Sequence, residues 1–405
     1  MNSFRFAGLY LLLLITSCQT KQKDILVIDM DNPKGSIDIS ISDLLDDITI
    51  VPLETRDDLL LSTEGMYFTV SDHYILVQTR DKLLQYDRQG NYIRTLAVKG
   101  NGPDEFNVIM DLQVSEKQDF IYYTSSMFPN SFTGINLTTG TFQTFPKPDL
   151  QSFSMRQTDA QGNIYGFPST AIRRIEGSTA GSDSLLLAYR YNPIEQTTTV
   201  FEGHHGFPSE SAQIEMMFKQ GDQIFFCVPA YSDTLFKIEG DKISPQYVMT
   251  VKNPLIDRIE GGISIHPLIS TTRATLFQKW YRQVSIGERS VNVRNDLLAY
   301  LFLNETYELH WLKSVIIEPL ALTIDLVDYI TRTNEKSGVE VPIYPLPSVS
   351  GAWGYFAVEA YNMLELIDVA LKGNHLSAVQ CKTLENIASR IDKESNPVLI
   401  IGKIK

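Results

Sequence analysis

The residues best suited to chemistry in this chain are two adjacent histidines, His204 and His205, flanked by Glu202 and Glu210. Neutral imidazoles with a carboxylate are a common zinc set, so the group invites a metal reading. Its spacing argues against one. Neighbouring side chains on an extended backbone point to opposite sides, and the chain contains neither H-x-H nor H-x-x-x-H. Solvated loop histidines are the expectation here, and no metal or cofactor is expected. His73, His266, His310 and His375 stand singly.

Carboxylate doublets occur at Asp46-Asp47, Asp57-Asp58 and Asp104-Glu105. Such pairs could supply the acid and base of glycan cleavage, but that chemistry needs them about 5–10 Å apart across a substrate. Doublets in turn-rich sequence are expected as solvated charge. No G-x-S-x-G elbow and no recognisable cysteine–histidine nucleophile pattern is present. Arg173-Arg174 could grip an anion through bidentate guanidinium bonds, or pair with surface acids as exposed arginines ordinarily do. Trp280, Tyr281, Trp353 and Tyr355 offer rings for stacking on sugars. Trp353 and Tyr355 open the apolar run "WGYFAV", where core packing is the stronger expectation. The candidate ligand-binding residues are therefore His204, His205, Arg173, Arg174 and Trp353, with no catalytic set.

Composition narrows the function classes. The 405 residues carry a net charge of −13, are 43% hydrophobic and 20% charged, and contain no basic run. That is globular composition with ample apolar surface. Nucleic-acid binding needs a basic face to displace phosphate counterions, so it is excluded as an expectation.

The first residues, "MNSFRFAGLYLLLLITSCQTKQKD", place one cation before a ten-residue apolar stretch, Phe6 to Ile15. That length suits a signal-peptide core and is too short for a permanent bilayer span. Ile15-Thr16-Ser17-Cys18 resembles a bacterial lipobox. Residues 1–17 are then a lipoprotein signal, Cys18 carries the lipid (palmitate among its acyl chains), and 18–24 form a polar tether. An ordinary cleaved signal is the alternative. Several acyl chains would hold the protein on a membrane, and the absence of an acidic cluster after Cys18 favours the periplasmic side over the cell surface. Cys227 and Cys381, far apart in sequence, read as buried thiols without a disulfide framework.

From Ile25 onward the chain shows short β-rich runs broken by Gly, Asn, Asp and Pro. A turn followed by apolar residues recurs at Ile75, Ile121, Ile164, Ile224, Leu297 and Tyr355. The intervals, about 40–75 residues, fit four-stranded propeller blades with insertions. A second turn recurs as Tyr86–Tyr92, Ile135–Phe142 and Phe236–Ile243, where Asp or Asn with Gly reverses the strand. Helical spacing is convincing only at Leu376, Val379, Leu384, Ile387, Ala388 and Ile391, with Asn374 as N-cap. A weaker helical pattern covers 273–284 inside an insertion at 253–291.

The cluster Gly100-Asn101-Gly102-Pro103-Asp104-Glu105 lacks the third glycine of a dinucleotide loop and puts two carboxylates where phosphate would sit. Its partial echo, Gly203 to Glu210, follows the third repeat. Both read as connections between blades.

"YDRQGNYIRTLAVKGNGPDEF" (86–106), "DITIVPLET" (47–55) and "NPVLIIGKIK" (396–405) resemble the six-bladed β-propeller lipoproteins of Bacteroides-type bacteria, which are distantly similar to NHL-repeat propellers. The resemblance implies an all-β, six-bladed propeller over residues 25–405 with four-stranded antiparallel blades, one C-terminal helix packed on the last blade, and a cell-envelope address. It implies no catalytic residue. "DITIVPLET" and "VLIIGKIK" are the expected ring closure. The expected role is non-catalytic binding of a glycan or peptide fragment at the axis, or of an envelope partner protein on one face. A propeller hydrolase or lyase, or a structural subunit of an envelope complex with 253–291 as contact arm, is the alternative.

Overall fold

The computed structural model describes residues 25–62, 65–102, 104–115, 117–125, 130–150, 153–167, 185–203, 216–220, 222–227, 234–252, 262–286, 291–317, 322–325, 346–347, 351–373 and 376–405. Three strands and a short helix come first: β1 (Leu26–Asp29), β2 (Ser36–Ser40), α1 (Ile41–Leu44) and β3 (Leu45–Pro52). Six blades follow. The first blade runs Tyr67–Val70, Tyr74–Gln78, Lys82–Asp87 and Tyr92–Lys99, and the second Ile109–Ser115, Phe120–Ser125, Ser131–Asn136 and Phe142–Pro146. The third is Gln157–Thr158, Ile164–Gly166, Leu185–Asn192 and Thr197–Gly203, and the fourth Met216–Gln220, Gln223–Cys227, Thr234–Glu239 and Lys242–Thr250. The fifth is Gly262–Ser270, Ala274–Ile286, Val291–Leu303 and Glu308–Ile317. The sixth takes Leu346–Pro347, Trp353–Val358 and Val398–Ile404, and completes itself with β3.

Innermost strands adjoin one another from the second blade to the sixth, the first and second blades share an apolar cluster, and the sixth blade meets the first, so the sheets close the expected ring. Six apolar clusters among the described residues fill the six gaps between blades. Burial on both faces explains why second strands such as Tyr74–Gln78, Gln223–Cys227 and Trp353–Val358 are near-continuous apolar runs instead of alternating ones.

Side-chain turns set the strand lengths. Asp87 Oδ1 accepts from the N–H of Gln89 and Asn91, both at 2.9 Å, and Gly90 takes φ +86°. Asp159 repeats the arrangement on Gln161 and Asn163, again at 2.9 Å, with Gly162 at φ +86°. Hydroxyls do the same after other strands: Ser71 Oγ accepts from Tyr74 N at 2.9 Å, and Thr271 Oγ1 from Ala274 N at 3.0 Å.

Ring closure is wider than the expected pairing. β3 pairs antiparallel with Val398–Ile404, joining the chain's two ends. Upstream of it, β1 runs parallel along Lys242–Thr250 at the rim of the fourth blade, and β2 runs parallel along Glu308–Ile317 at the rim of the fifth. Ile28 and Met30 are buried between blades four and five, and Ile39, Ile41 and Leu44 between five and six. Residues 26–52 thus form a strap across three blades.

The region from 250 to 350 departs from its sequence reading. Residues 273–284 are not helical, because Ala274–Ile286 pairs on both edges, with Gly262–Ser270 and with Val291–Leu303. The stretch 253–291 is accordingly not an inserted arm: its described part supplies the first two strands of the fifth blade. The repeat marker of that blade is the Thr271 turn before Ala274, equivalent to Ser71 before Tyr74; Leu297 lies on the third strand. The expected helix is present as Ala378–Ala388, buried through Leu384 and Ile387. Its N-cap is Ser377, in a capping box with Gln380, and Asn374 is outside the described residues. A second helix, Ala360–Lys372, precedes it and packs through Met363 and Ile367 into the same core. These become α2 (Ala360–Lys372) and α3 (Ala378–Ala388).

Candidate functional site at the axis

Strand alternation decides which side chains reach the hub. On the second blade's inner strand, Leu112 and Val114 enter the core shared with the first blade. Gln113 and Ser115 therefore point the other way, toward the third blade, and Gln113 Nε2 donates to Met155 O at 3.4 Å. On the third blade, Thr158 Oγ1 donates back to Val114 O. Its neighbour Gln157 faces onward, toward the fourth blade.

There it meets Lys219. A methyl group added to Gly351 would lie 2.5 Å from Lys219 Cβ and 3.1 Å from both Lys219 Cδ and Gln157 Oε1. Gly351 belongs to the sixth blade and Lys219 to the fourth, and the fifth stands between them, so this contact crosses the hub. Gly351 also takes φ +69°, a conformation that side chains disfavour. It is a glycine for two reasons.

The polar inventory at this hub is uneven. Gln113 Oε1, Ser115 Oγ and Gln157 Oε1 are buried oxygens without a hydrogen-bond partner. The side chains are 5%, 0% and 7% exposed. Among the described residues Lys219 has no ion-pair partner. The arrangement offers acceptors and one cation. It can hold and orient a molecule carrying donors and negative charge. No three His, Cys, Asp or Glu side chains gather as a metal set among the described residues.

Trp353, a sequence candidate, begins the second strand of the sixth blade and is buried, as its core reading expected. Its Nε1 donates to Asp72 Oδ1 at 2.9 Å, and the Arg88 guanidinium lies 3.9 Å over its ring. The tryptophan thereby clasps blades one and six, and its ring is covered. His204, His205, Arg173, Arg174 and Cys18 lie outside the described residues. Gln113, Gln157 and Lys219 carried no motif; the one available signal was a polar residue interrupting an apolar inner strand.

The glycine cluster is filled from within. Gly102 N donates to Glu105 Oε2 at 2.7 Å, and a methyl on Gly100 would fall 1.9 Å from that oxygen. Glu105's own carboxylate occupies the place a phosphate would take, and Gly100 N closes the loop on Phe106 O at 2.9 Å. Of the two carboxylates of the sequence reading, Glu105 is the one that fills the loop.

Burial dominates the titration of groups away from the hub. The Cys227 thiol is pushed up to about 12 by desolvation. Burial raises Tyr165 as well, and its hydroxyl donates to Asp159 at 3.0 Å.

A closed ring of six radial, mainly antiparallel sheets with a polar hub defines a six-bladed β-propeller. The chain belongs to the family described as domain of unknown function DUF4934, whose model matches residues 25–284. No curated protein sequence matches it. Among solved structures it is similar to a Bacteroides fragilis protein provisionally described as exported, with 14% identity, 91% of this chain and 99% of that one covered, and a TM-score of 0.53. Fainter likenesses are to the tricorn protease, with 12% identity, 87% and 39% covered and a TM-score of 0.37, and to TolB from Acinetobacter baumannii, with 10%, 72%, 57% and 0.34. At such identities the likeness is one of fold.

Proposed function

We propose that this protein is an envelope-located propeller, held to a membrane through a lipid on Cys18, that binds a small polar ligand at its axis. One observation carries the binding reading: the buried, unpartnered Gln157 oxygen lies beside the stem of Lys219 and Gly351, where the third, fourth and sixth blades approach one another. Buried polar groups are ordinarily hydrogen-bonded, so such an exception beside a lysine at a propeller hub marks a place for a ligand. An amide and an amine suit holding and orienting. A glycan or peptide fragment fits that chemistry.

The address rests on sequence and likeness. The apolar stretch before Thr16-Ser17-Cys18 supports export and acylation, and the similar Bacteroides fragilis protein supports an exported role. No helix among the described residues is long and apolar enough to cross a membrane, so a lipid would be the means of attachment.

A thermal-shift panel of glycan fragments and short peptides against residues 19–405 tests the binding reading. A true ligand at a hundred times its Kd adds about 2.7 kcal/mol to the native state, a shift of a few degrees that Gln157→Leu should reduce. A panel that leaves the midpoint unmoved refutes axial binding. Cys18→Ala should move the full chain from the membrane to the soluble fraction, and a variant still in the membrane pellet refutes the anchor.

A further inference from the structure

A lipid on Cys18, on which the following rests, would also decide which side of the wheel meets the membrane. Residues 19–24 alone separate Cys18 from Ile25. A fully extended chain covers at most about 3.6 Å per residue, so Cys18 lies within about 25 Å of Ile25. A globule of this chain's length has a radius of gyration of about 21 Å and is roughly 50 Å across. The leash is about half the width of the body it holds.

That leash is fastened to a fixed strand. β1 runs parallel along Lys242–Thr250, with Leu26 opposite Tyr247 and Asp29 opposite Thr250. Ile28 and Met30 are buried between blades four and five. Met30 N donates to Thr250 O at 2.9 Å, and Lys252 N donates to Asp31 Oδ2 at 2.5 Å. β1 is the outermost strand of its sheet. The tether therefore departs from the outer edge of blade four.

The outward side of this edge is apolar. Alternation along β1 sends Ile28 into the core and leaves Ile25 and Val27 facing away from it, 40% and 60% exposed. A solvated strand face ordinarily carries polar residues at such positions, and an uncovered edge strand is a liability. Beside a lipidated residue, these two aliphatic side chains have a bilayer to cover them. We propose that the outer edge of blade four faces the membrane, with Ile25 and Val27 against the boundary between lipid headgroups and acyl chains. The contact is apolar, because a net charge of −13 gives the protein no overall attraction to anionic lipids. The competing surface is α3, two blades away in the sixth, where Val379 is 76% exposed.

Site-specific quenching tests the orientation. The full acylated chain, in phosphatidylethanolamine–phosphatidylglycerol vesicles, carries an environment-sensitive fluorophore on Val27→Cys or on Val379→Cys, each in a Cys381→Ser background. Cys227 is buried, and the lipid blocks Cys18. Both replaced valines are exposed, so each variant should keep the parent's melting temperature, and Ile25→Cys provides a second position on the edge. Brominated acyl chains should quench the label at 27 at least twofold more than the label at 379. Equal quenching, stronger quenching at 379 or none at either position overturns the orientation and leaves the anchor standing, if intact mass shows the acyl groups on Cys18. A chain without those groups removes anchor and orientation together. A label at 27 that is shielded in detergent, in particles of twice the monomer mass, places a second copy on the strand and also overturns the proposal.

Discussion

Replacing Asn396 should loosen the ring at its seam. Its side chain is fully buried, donates to Glu54 O at 2.7 Å and Leu59 O at 3.0 Å, and accepts from Leu61 N at 2.7 Å. Its backbone N–H bonds Thr55 Oγ1 at 2.9 Å, across 341 residues of sequence. One side chain thus holds the connection from the sixth blade to the first against the start of the final strand. Asn396→Ala leaves two carbonyls and one N–H without partners in a site closed to solvent. At roughly 1 to 1.5 kcal/mol for each orphaned group, the loss is about 3 to 4.5 kcal/mol, a large share of the ~5–15 kcal/mol typical of folded proteins. Asn396→Asp restores the acceptor for Leu61 but turns a carboxylate oxygen on two carbonyls, and should cost at least as much. Urea unfolding followed by tryptophan fluorescence measures both. An alanine variant within about 1 kcal/mol of the parent refutes the idea that these bonds secure the seam.

Other substitutions probe the remaining joints. Gly351→Ala should lower stability by about 1–3 kcal/mol through its φ of +69° and displace Lys219, so calorimetry should show both a lower melting temperature and weaker ligand binding. Trp353→Phe removes the bond to Asp72 and should cost about 1–2 kcal/mol in urea unfolding, with no effect on axial binding. Met30→Ala, in the strap, should cost about 2–5 kcal/mol by opening a cavity between blades four and five. Lys34 donates to the Glu308 carboxylate and holds it below the ordinary glutamate range. A depressed carboxylate stabilises above its unfolded pKa and loses that contribution as pH falls through the folded value. The stability difference between the parent and Glu308→Gln should therefore be present above the ordinary glutamate range and narrow as pH falls through and below it. In the native protein lacking residue 18, a thiol reagent should label the half-buried Cys381 long before Cys227, whose thiol is buried and pushed up to about 12.

Local chemistry made most of the wheel legible. Asp87 with Gly90 and Ser71 before Tyr74 are turns whose geometry depends on residues within four positions, so the blades of the first half could be read from their own sequence. The fifth blade could not, because nothing in "RATLFQKWYRQV" separates strand from helix until two long partners pair with it. The strap was invisible for a related reason: "LVID" and "SIDIS" become strands only by finding edges more than two hundred residues away. Trp353 was legible as a core aromatic from the apolar run around it. Lys219 and Gln157 were not, since a single polar residue in a strand becomes informative only when the ring brings three blades to one point.

The strap also constrains how the molecule can be made. β1 finds its neighbour near Tyr247, β2 near Trp311 and β3 in the last eight residues. A chain emerging from a ribosome or a translocation pore end-first must keep these opening segments unpaired until the tail arrives. Such long-range pairing slows folding and leaves exposed edges that invite aggregation. Loss of even the terminal strand would strip the partner from residues 45–52, and the earliest-synthesised part of the protein would be the first to come loose.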